Sequence, residues 1–347
     1  MNPRDRLMKA IEFNGPDRIP IITWRAEGYR EWLRFGDHEM HRPAIEALQC
    51  DYPCDAFYPD TPWIGGGAVA PRIGEVAFDK WGIGWARMQQ GCIESVHPLL
   101  DWSSLDSLVF PNPAFYIPPG IADEINESRG ERYVYVGTFG GFFQHMASLR
   151  GYENMMIDLA RDAPELHVLA DRLLDYFLQL IDAWREIGVD GMFFGDDLGM
   201  QDRLIVRPAM WRAFVKPRYQ QMFDAVHRAG SHVWFHTDGY VMDIVEDLVE
   251  IGIDVLNVNQ LALNGIESLG QRVGGRVCFM GGLDHQRILP FGTKAEVVEH
   301  VQQVIEHLAK RDGGYIAVPL SGGGYDTPIT NLRAALDTFG EHGHHAR

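Results

Sequence analysis

The chain has 347 residues, 46% of them hydrophobic, enough for one large core or for a barrel of about 250 residues with insertions. Its formal net charge of −17 opposes nucleic acid or an anionic membrane as the main partner, because like charge repels both. No apolar run approaches the roughly 20 residues that span a bilayer, the opening MNPRDRLMKAIEF is patterned as an amphipathic helix and not as a secretory signal, and four cysteines make no disulfide scaffold, so the expected compartment is the cytoplasm.

Residues 3–13 carry the first helical pattern, followed by a GPDR turn and the strand IPIITW at 19–24, with Arg25 at its C-terminal end. A helical stretch over 28–48 leads to a second short run, DAFYPD, that ends in Asp60. From 65 to 119 Gly and Pro are frequent, and VAFDKWGIGWARM reads as a β-hairpin around Trp81 and Gly82. This segment is expected as an insertion near the barrel mouth of a single domain covering residues 1–347. YVYVGTFGGFF at 133–143 is the next strand with a glycine-rich exit, and two helices follow across 152–187.

The alternation then becomes regular. GMFFGDD precedes a helix over 208–229, HVWFHTDG one over 242–251, VLNVNQ a short one near Ile266, CFMGGLD one over 294–310, and YIAVPLSG one over 329–340. Short apolar strands alternating with longer helical patterns predict right-handed βαβ units and a parallel sheet. Some eight strand candidates favour closure into a (β/α)8 TIM barrel over an open sheet, and catalysis in such a barrel sits at the C-terminal strand ends.

The chemistry-bearing residues fall at those ends. Asp196 and Asp197 follow an apolar strand, so one should point into the mouth and its neighbour toward a loop or a helix N-terminus. His236 and Asp238 are two apart, which places both side chains on one face at metal-ligand or acid/base spacing; Asp238 could instead cap the next helix. Asn257 and Gln260 flank another strand end and can hydrogen-bond a substrate. Asp284 ends the GGLD strand, with His285 and Arg287 behind it. Ser321 opens a glycine-rich exit that could cradle an anion or a carbonyl, although it matches no phosphate loop.

PRDRLMKAIEFNGPDRIPI, LRGYENMMIDLARDAPELHVLADRL, VKPRYQQMFDAVHRAG, GGLDHQRILPFGTKAEVVEHV and the final TPITNL are landmarks, and through them the chain resembles the uroporphyrinogen decarboxylase superfamily over nearly its whole length. The resemblance implies a (β/α)8 barrel and one of two chemistries: cofactor-free decarboxylation of porphyrinogen acetates, or zinc-dependent methyl transfer between a corrinoid and a thiol or another carrier. Decarboxylases of the superfamily carry an RQAGR-type segment after the first strand. TWRAEGYREW keeps Arg25 and breaks that motif, Asp60 falls where the second-strand aspartate stands, and Ser321 falls where a histidine would be. An octacarboxylate would also meet Asp60, Asp196, Asp197, Asp238 and Asp284 at the mouth, and each unscreened like pair at about 4 Å costs around 4 kcal/mol at an effective dielectric near 20.

The methyltransferases bind zinc through a histidine and a cysteine two residues apart on the fifth strand and a second cysteine on the eighth. His236 matches the first, Asp238 stands in place of the first cysteine and Ser321 in place of the second. Zinc accepts carboxylate oxygen, so His236, Asp238 and Asp197 form the expected site for zinc or another divalent metal, harder than a thiolate site. The leading expectation is methyl transfer, the demethylation of a small methoxy, methylamine or similar substrate, to or from a corrinoid carried by a partner protein. His236, Asp238, Asp197 and Asp60 would be catalytic, and Arg25, Asp196, Asn257, Gln260, Asp284 and Ser321 would contact substrate. The alternative is a decarboxylase without cofactor, in which Asp60 stabilises the protonated intermediate and Arg25 holds a carboxylate. A third reading is a noncatalytic corrinoid or tetrapyrrole binder. A monomer or homodimer is expected.

Overall fold

The structure is a computed structural model that describes residues 1–23, 51–52, 54–89, 91–310, 312–319 and 327–342, so Arg25 and Ser321 lie outside the described residues. Seven short parallel strands form one curled sheet: β1 (Ala56–Phe57), then, after a separate unit of β2 (Val76–Phe78), β3 (Gly84–Arg87) and β4 (Cys92–Val96), β5 (Tyr133–Val136), β6 (Gly191–Gly195), β7 (His232–Thr237), β8 (Val255–Val258), β9 (Cys278–Met280) and β10 (Tyr315–Ile316). Helices follow β5 to β9 in turn, so each strand is covered by the crossover to the next. The result is a TIM-barrel-like α/β fold.

Burial on both faces explains the apolar strand sequences. All four residues of β5 and all four of β8 are buried. Alternate residues go to two separate clusters. Tyr133, Tyr135, Trp234, Val255, Cys278, Met280 and Ile316 pack together on the inner face, where Leu7 and Ile11 of the first helix, Pro3–Ile11, join them. Val134, Val136, Phe194, Phe235, Leu256 and Phe279 belong to the other cluster, shared with the surrounding helices. Tyr135 and Trp234 stack inside the curl at a centroid distance of 4.6 Å and an interplanar angle of 7°.

The extended segment 19–23 contacts both edges of this sheet. Ile22 N–H donates to Ala317 O at 2.9 Å, Ala317 N–H to Pro20 O at 2.9 Å, and on the other side Asp55 N–H donates to Ile21 O at 2.9 Å. Asp55 fixes the join: its buried carboxylate accepts from Arg6 at 2.5 Å, Arg18 at 2.9 Å and Ile21 N–H at 2.8 Å.

Where the sequence reads as one hairpin, the structure has three antiparallel strands, β2 (Val76–Phe78), β3 (Gly84–Arg87) and β4 (Cys92–Val96), in the order β2-β3-β4. Asp79 organises the first turn by accepting from Trp81 N–H at 2.8 Å and Ile83 N–H at 3.0 Å. The unit docks on the helix Phe142–Arg150 through His97 Nδ1 and Ser148 O, 2.7 Å apart, and Leu99 N–H to Leu149 O at 2.9 Å. The strand expected over 133–143 stops at Val136, because the glycine-rich stretch leads directly into that helix. No helix among the described residues is long and apolar enough to cross a membrane.

Candidate functional site

The two-residue period of the strands decides which acids meet. Phe193 of β6 packs against the inner cluster and Phe194 belongs to the outer one, so the same parity carried forward turns Asp197 inward and Asp196 outward. On β7, Trp234 is inner and Phe235 outer, which turns His236 and then Asp238 inward. His236 Nε2 lies 3.4 Å from Asp197 Oδ1 and 3.9 Å from Asp238 Oδ2. One ligand-type atom from each of the three residues lies within 4.8 Å of the others, and all three side chains are partly buried.

Neighbouring strands and loops hold this triad. Asn257 on β8 places Oδ1 2.7 Å from His236 Nδ1, while its amide nitrogen donates to Met280 O at 2.7 Å. That commitment orients the amide and keeps a proton on Nδ1, so Nε2 faces the two carboxylates, where it carries a proton in the charged ring and offers its lone pair to a cation in the neutral one. Gln144 Nε2 donates to Asp197 Oδ2 at 3.0 Å. The turn after Asp238 is gripped twice: Gly239 N–H donates to Gln260 Oε1 at 2.8 Å, and Asn264 Nδ2 donates to Gly239 O at 2.9 Å.

The electrostatics are those of a small coupled cluster. Burial works against ionised Asp197, but the hydrogen bonds and charge of His236, with Gln144, outweigh it and hold the carboxyl below its usual value. Burial likewise opposes a charged His236, yet Asp197 and Asp238 together raise it. Asp238 is pushed up by burial and by the like charge of Asp197, against the pull of His236 and His285. Its Oδ1 is buried with no hydrogen-bond partner among the described residues, and so is His285 Nδ1. Such buried orphan groups are costly unless something completes them.

Asp196, expected against substrate, is completely buried. Its carboxylate accepts from Phe143 N–H at 2.6 Å, Gln144 N–H at 2.8 Å and the Tyr219 hydroxyl. It thereby caps the helix Phe142–Arg150, whose own N-cap, Gly141, has no side chain, and it has no surface left for a ligand. Burial pushes its pKa up to about 7, against the lowering pull of those donors. Asp284 accepts from Gln286 N–H at 3.0 Å and Arg287 N–H at 2.8 Å, a local turn that occupies one oxygen. Gln260 binds backbone, as described. Asp60 is exposed beyond β1 and is not one of the three clustered groups. Gln144 and Asn264 were not singled out from sequence. Their partners are 53 and 25 residues away, so no local pattern marks them.

A curled parallel sheet with an acid and imidazole cluster at its C-terminal strand ends is the arrangement of a TIM-barrel-like enzyme. The chain belongs to the uroporphyrinogen decarboxylase (URO-D) family, whose pattern matches residues 95–342. Among solved structures it is similar to a methyltransferase from Methanosarcina mazei, with a TM-score of 0.72, 16% identity and coverage of 99% of each chain. A B12-independent methionine synthase from Shewanella sp. W3-18-1 gives a TM-score of 0.41 at 11% identity over 95% of this chain and 96% of that one, too distant to carry an argument. The comparison with curated proteins gave no match.

Proposed function

We propose that this URO-D family enzyme transfers a methyl group from a small methoxy or methylamine-type substrate to the reduced, Co(I) state of a corrinoid carried by a separate protein, the demethylated alcohol or amine leaving with the bonding pair, at a divalent-metal site made by Asp197, His236 and Asp238. The observation that carries the reading is the triad itself: an imidazole turned by Asn257 so that Nε2 is set between two carboxylates, one of which has a buried oxygen without a partner among the described residues. Two carboxylates and a neutral imidazole neutralise a divalent charge, and their nitrogen and oxygen donors suit zinc, manganese or iron. When bound, the ion would supply Lewis-acid stabilisation of the heteroatom that keeps the electron pair as its methyl group leaves.

The protein's own part is positioning. Asn257 fixes the ring of His236, Gln144 fixes Asp197, and Gln260 with Asn264 fixes the turn that carries Asp238. We also take the segment 19–23 as the eighth stave of a closed (β/α)8 barrel, supported by its hydrogen bonds to β1 and β10 edges. The M. mazei neighbour named as a methyltransferase is compatible with this reading through its shared fold.

The test is metal content, by elemental analysis, of the protein and of a His236→Ala, Asp238→Ala double variant. Near-stoichiometric metal that the variant loses supports the site and directs the substrate search to methyl donors and corrinoid proteins. Absence of metal in both, after supply of zinc, manganese and iron, removes the metal reading and makes cofactor-free decarboxylation the reaction to assay.

A further inference from the structure

A cavity of about 340 Å³ lies between the loop at 63–65, the outer strand of the three-stranded unit and the helix Phe142–Arg150, and Asp197 forms part of its wall. That is room for a small ligand. Trp63 and Tyr152 in this wall are each 53% exposed, so folding leaves much of their side chains uncovered, while Phe143 is buried.

The position of Trp63 is set by backbone. Ile64 N–H donates to Thr138 O at 2.9 Å and Gly66 N–H to Trp63 O at 3.0 Å. Gly140 lies directly beneath: at φ +56 it admits the loop so closely that a Cβ there would stand 2.0 Å from Ile64 O. The main chain that carries the ring is thus fixed before a ligand arrives.

The charges in the wall have one sign. Glu94 and Asp197 line it, and among the described lining residues there is no Lys or Arg. His145, also in the wall, packs edge-on to Trp81 and is kept neutral by burial, which lowers its pKa to about 3. Aromatic faces with carboxylates and no competing cation recognise an alkylated ammonium group; a carboxylate ligand would meet like charge, and a neutral ether would gain nothing from Glu94.

We infer that this cavity binds a cationic N-methylated amine, with Trp63 and Tyr152 as the aromatic wall and Glu94 as the counter-charge. The inference rests on the methyl-transfer reading and gives it a substrate class, because Asp197 belongs to both the cavity and the triad and so places the bound amine against the metal site.

The experiment is calorimetric titration of the metal-supplemented protein with choline and with its uncharged carbon isostere, 3,3-dimethyl-1-butanol. Choline should bind at least about tenfold more tightly, and Trp63→Ala and Glu94→Gln should each weaken it by about tenfold. Both side chains are peripheral to the core, and an unchanged thermal midpoint confirms that the variants fold. Should Trp63→Ala fail to fold, the isostere comparison and Glu94→Gln decide alone. Equal affinity for the two probes, no binding of either, or choline binding that survives both substitutions overturns the proposal. If choline fails while 2-methoxyphenol binds and methylates an added corrinoid protein, the amine assignment falls and methyl transfer stands; if choline binds as expected and no donor methylates a corrinoid, the cavity assignment stands and the reaction falls.

Discussion

Asn257 Oδ1 stands 2.7 Å from His236 Nδ1, and the same amide is tied by its nitrogen to the carbonyl of Met280 at 2.7 Å. One buried side chain therefore connects three adjacent strands and sets which nitrogen of the imidazole faces the carboxylates. Asn257→Ala should lower metal affinity by roughly 10- to 100-fold through loss of that orientation. Stability should fall by about 1–3 kcal/mol, because His236 Nδ1 and Met280 O lose their partner. Chelator competition and chemical denaturation read the two effects separately. Unchanged metal affinity in a destabilised variant would reduce Asn257 to a structural role.

Gly239 follows Asp238 and faces Gly199, which follows the acids of the preceding strand. At Gly239, φ is +81 and an added Cβ would lie 2.2 Å from Gly199 C and O. The obstacle is backbone, so it cannot rotate away. Gly239→Ala should push the two loops apart and cost roughly 1–3 kcal/mol through strain. Because Asp197 and Asp238 sit on those loops, metal content should drop more than the loss of stability alone explains. A variant that retains full metal occupancy would show that the triad tolerates displacement of its loops.

Asp196 gives a pH signature in the metal-free protein. Its pKa moves from 3.8 to about 7 through burial, so the folded chain holds this proton more tightly than the unfolded one. The stabilisation is therefore complete below about pH 4, declines as pH rises toward 7, and is lost above it. The separation of the two values corresponds to roughly 4 kcal/mol at full effect. Asp196→Asn should remove this slope while lowering stability throughout, since an amide nitrogen would face the Phe143 N–H donor. Stability curves of the two proteins that run parallel between about pH 4 and pH 7 would contradict the assignment.

Much of the architecture is legible in the sequence because it depends on local periodicity. Apolar strands ending in acids, alternating with helices, recur from Gly191 onward, and the two-residue spacing of His236 and Asp238 brings both to one face as expected. The separate fates of Asp196 and Asp197 are not local: they depend on which strand face lines the curl, and that follows from packing around Trp234 and Tyr135. Gln260 is polar and near a strand end, which from sequence fits a substrate contact equally well; its backbone partner at Gly239 lies on the preceding loop and only the fold supplies it. The third strand of the 76–96 unit, CIESV, alternates weakly and is half exposed, so its apolar pattern does not announce it.

Asp55 offers the sharpest test of how the N-terminal segment joins the sheet. Its side chain is 2% exposed and accepts from Arg6, itself 10% exposed, and from Arg18, as well as from the backbone of Ile21. Arg6 also bonds Asp17, whose side chain is 42% exposed. Asp55→Ala would leave a buried guanidinium and a buried N–H without their acceptor, and should cost about 3–5 kcal/mol. Asp17→Ala breaks a pair that water already screens and should cost no more than about 1 kcal/mol. Denaturant midpoints of the two variants, measured side by side, distinguish the cases. Similar losses would mean that Arg6 and the 19–23 segment find other partners when Asp55 is gone, and that this carboxylate does not secure the join between β1 and the segment preceding it.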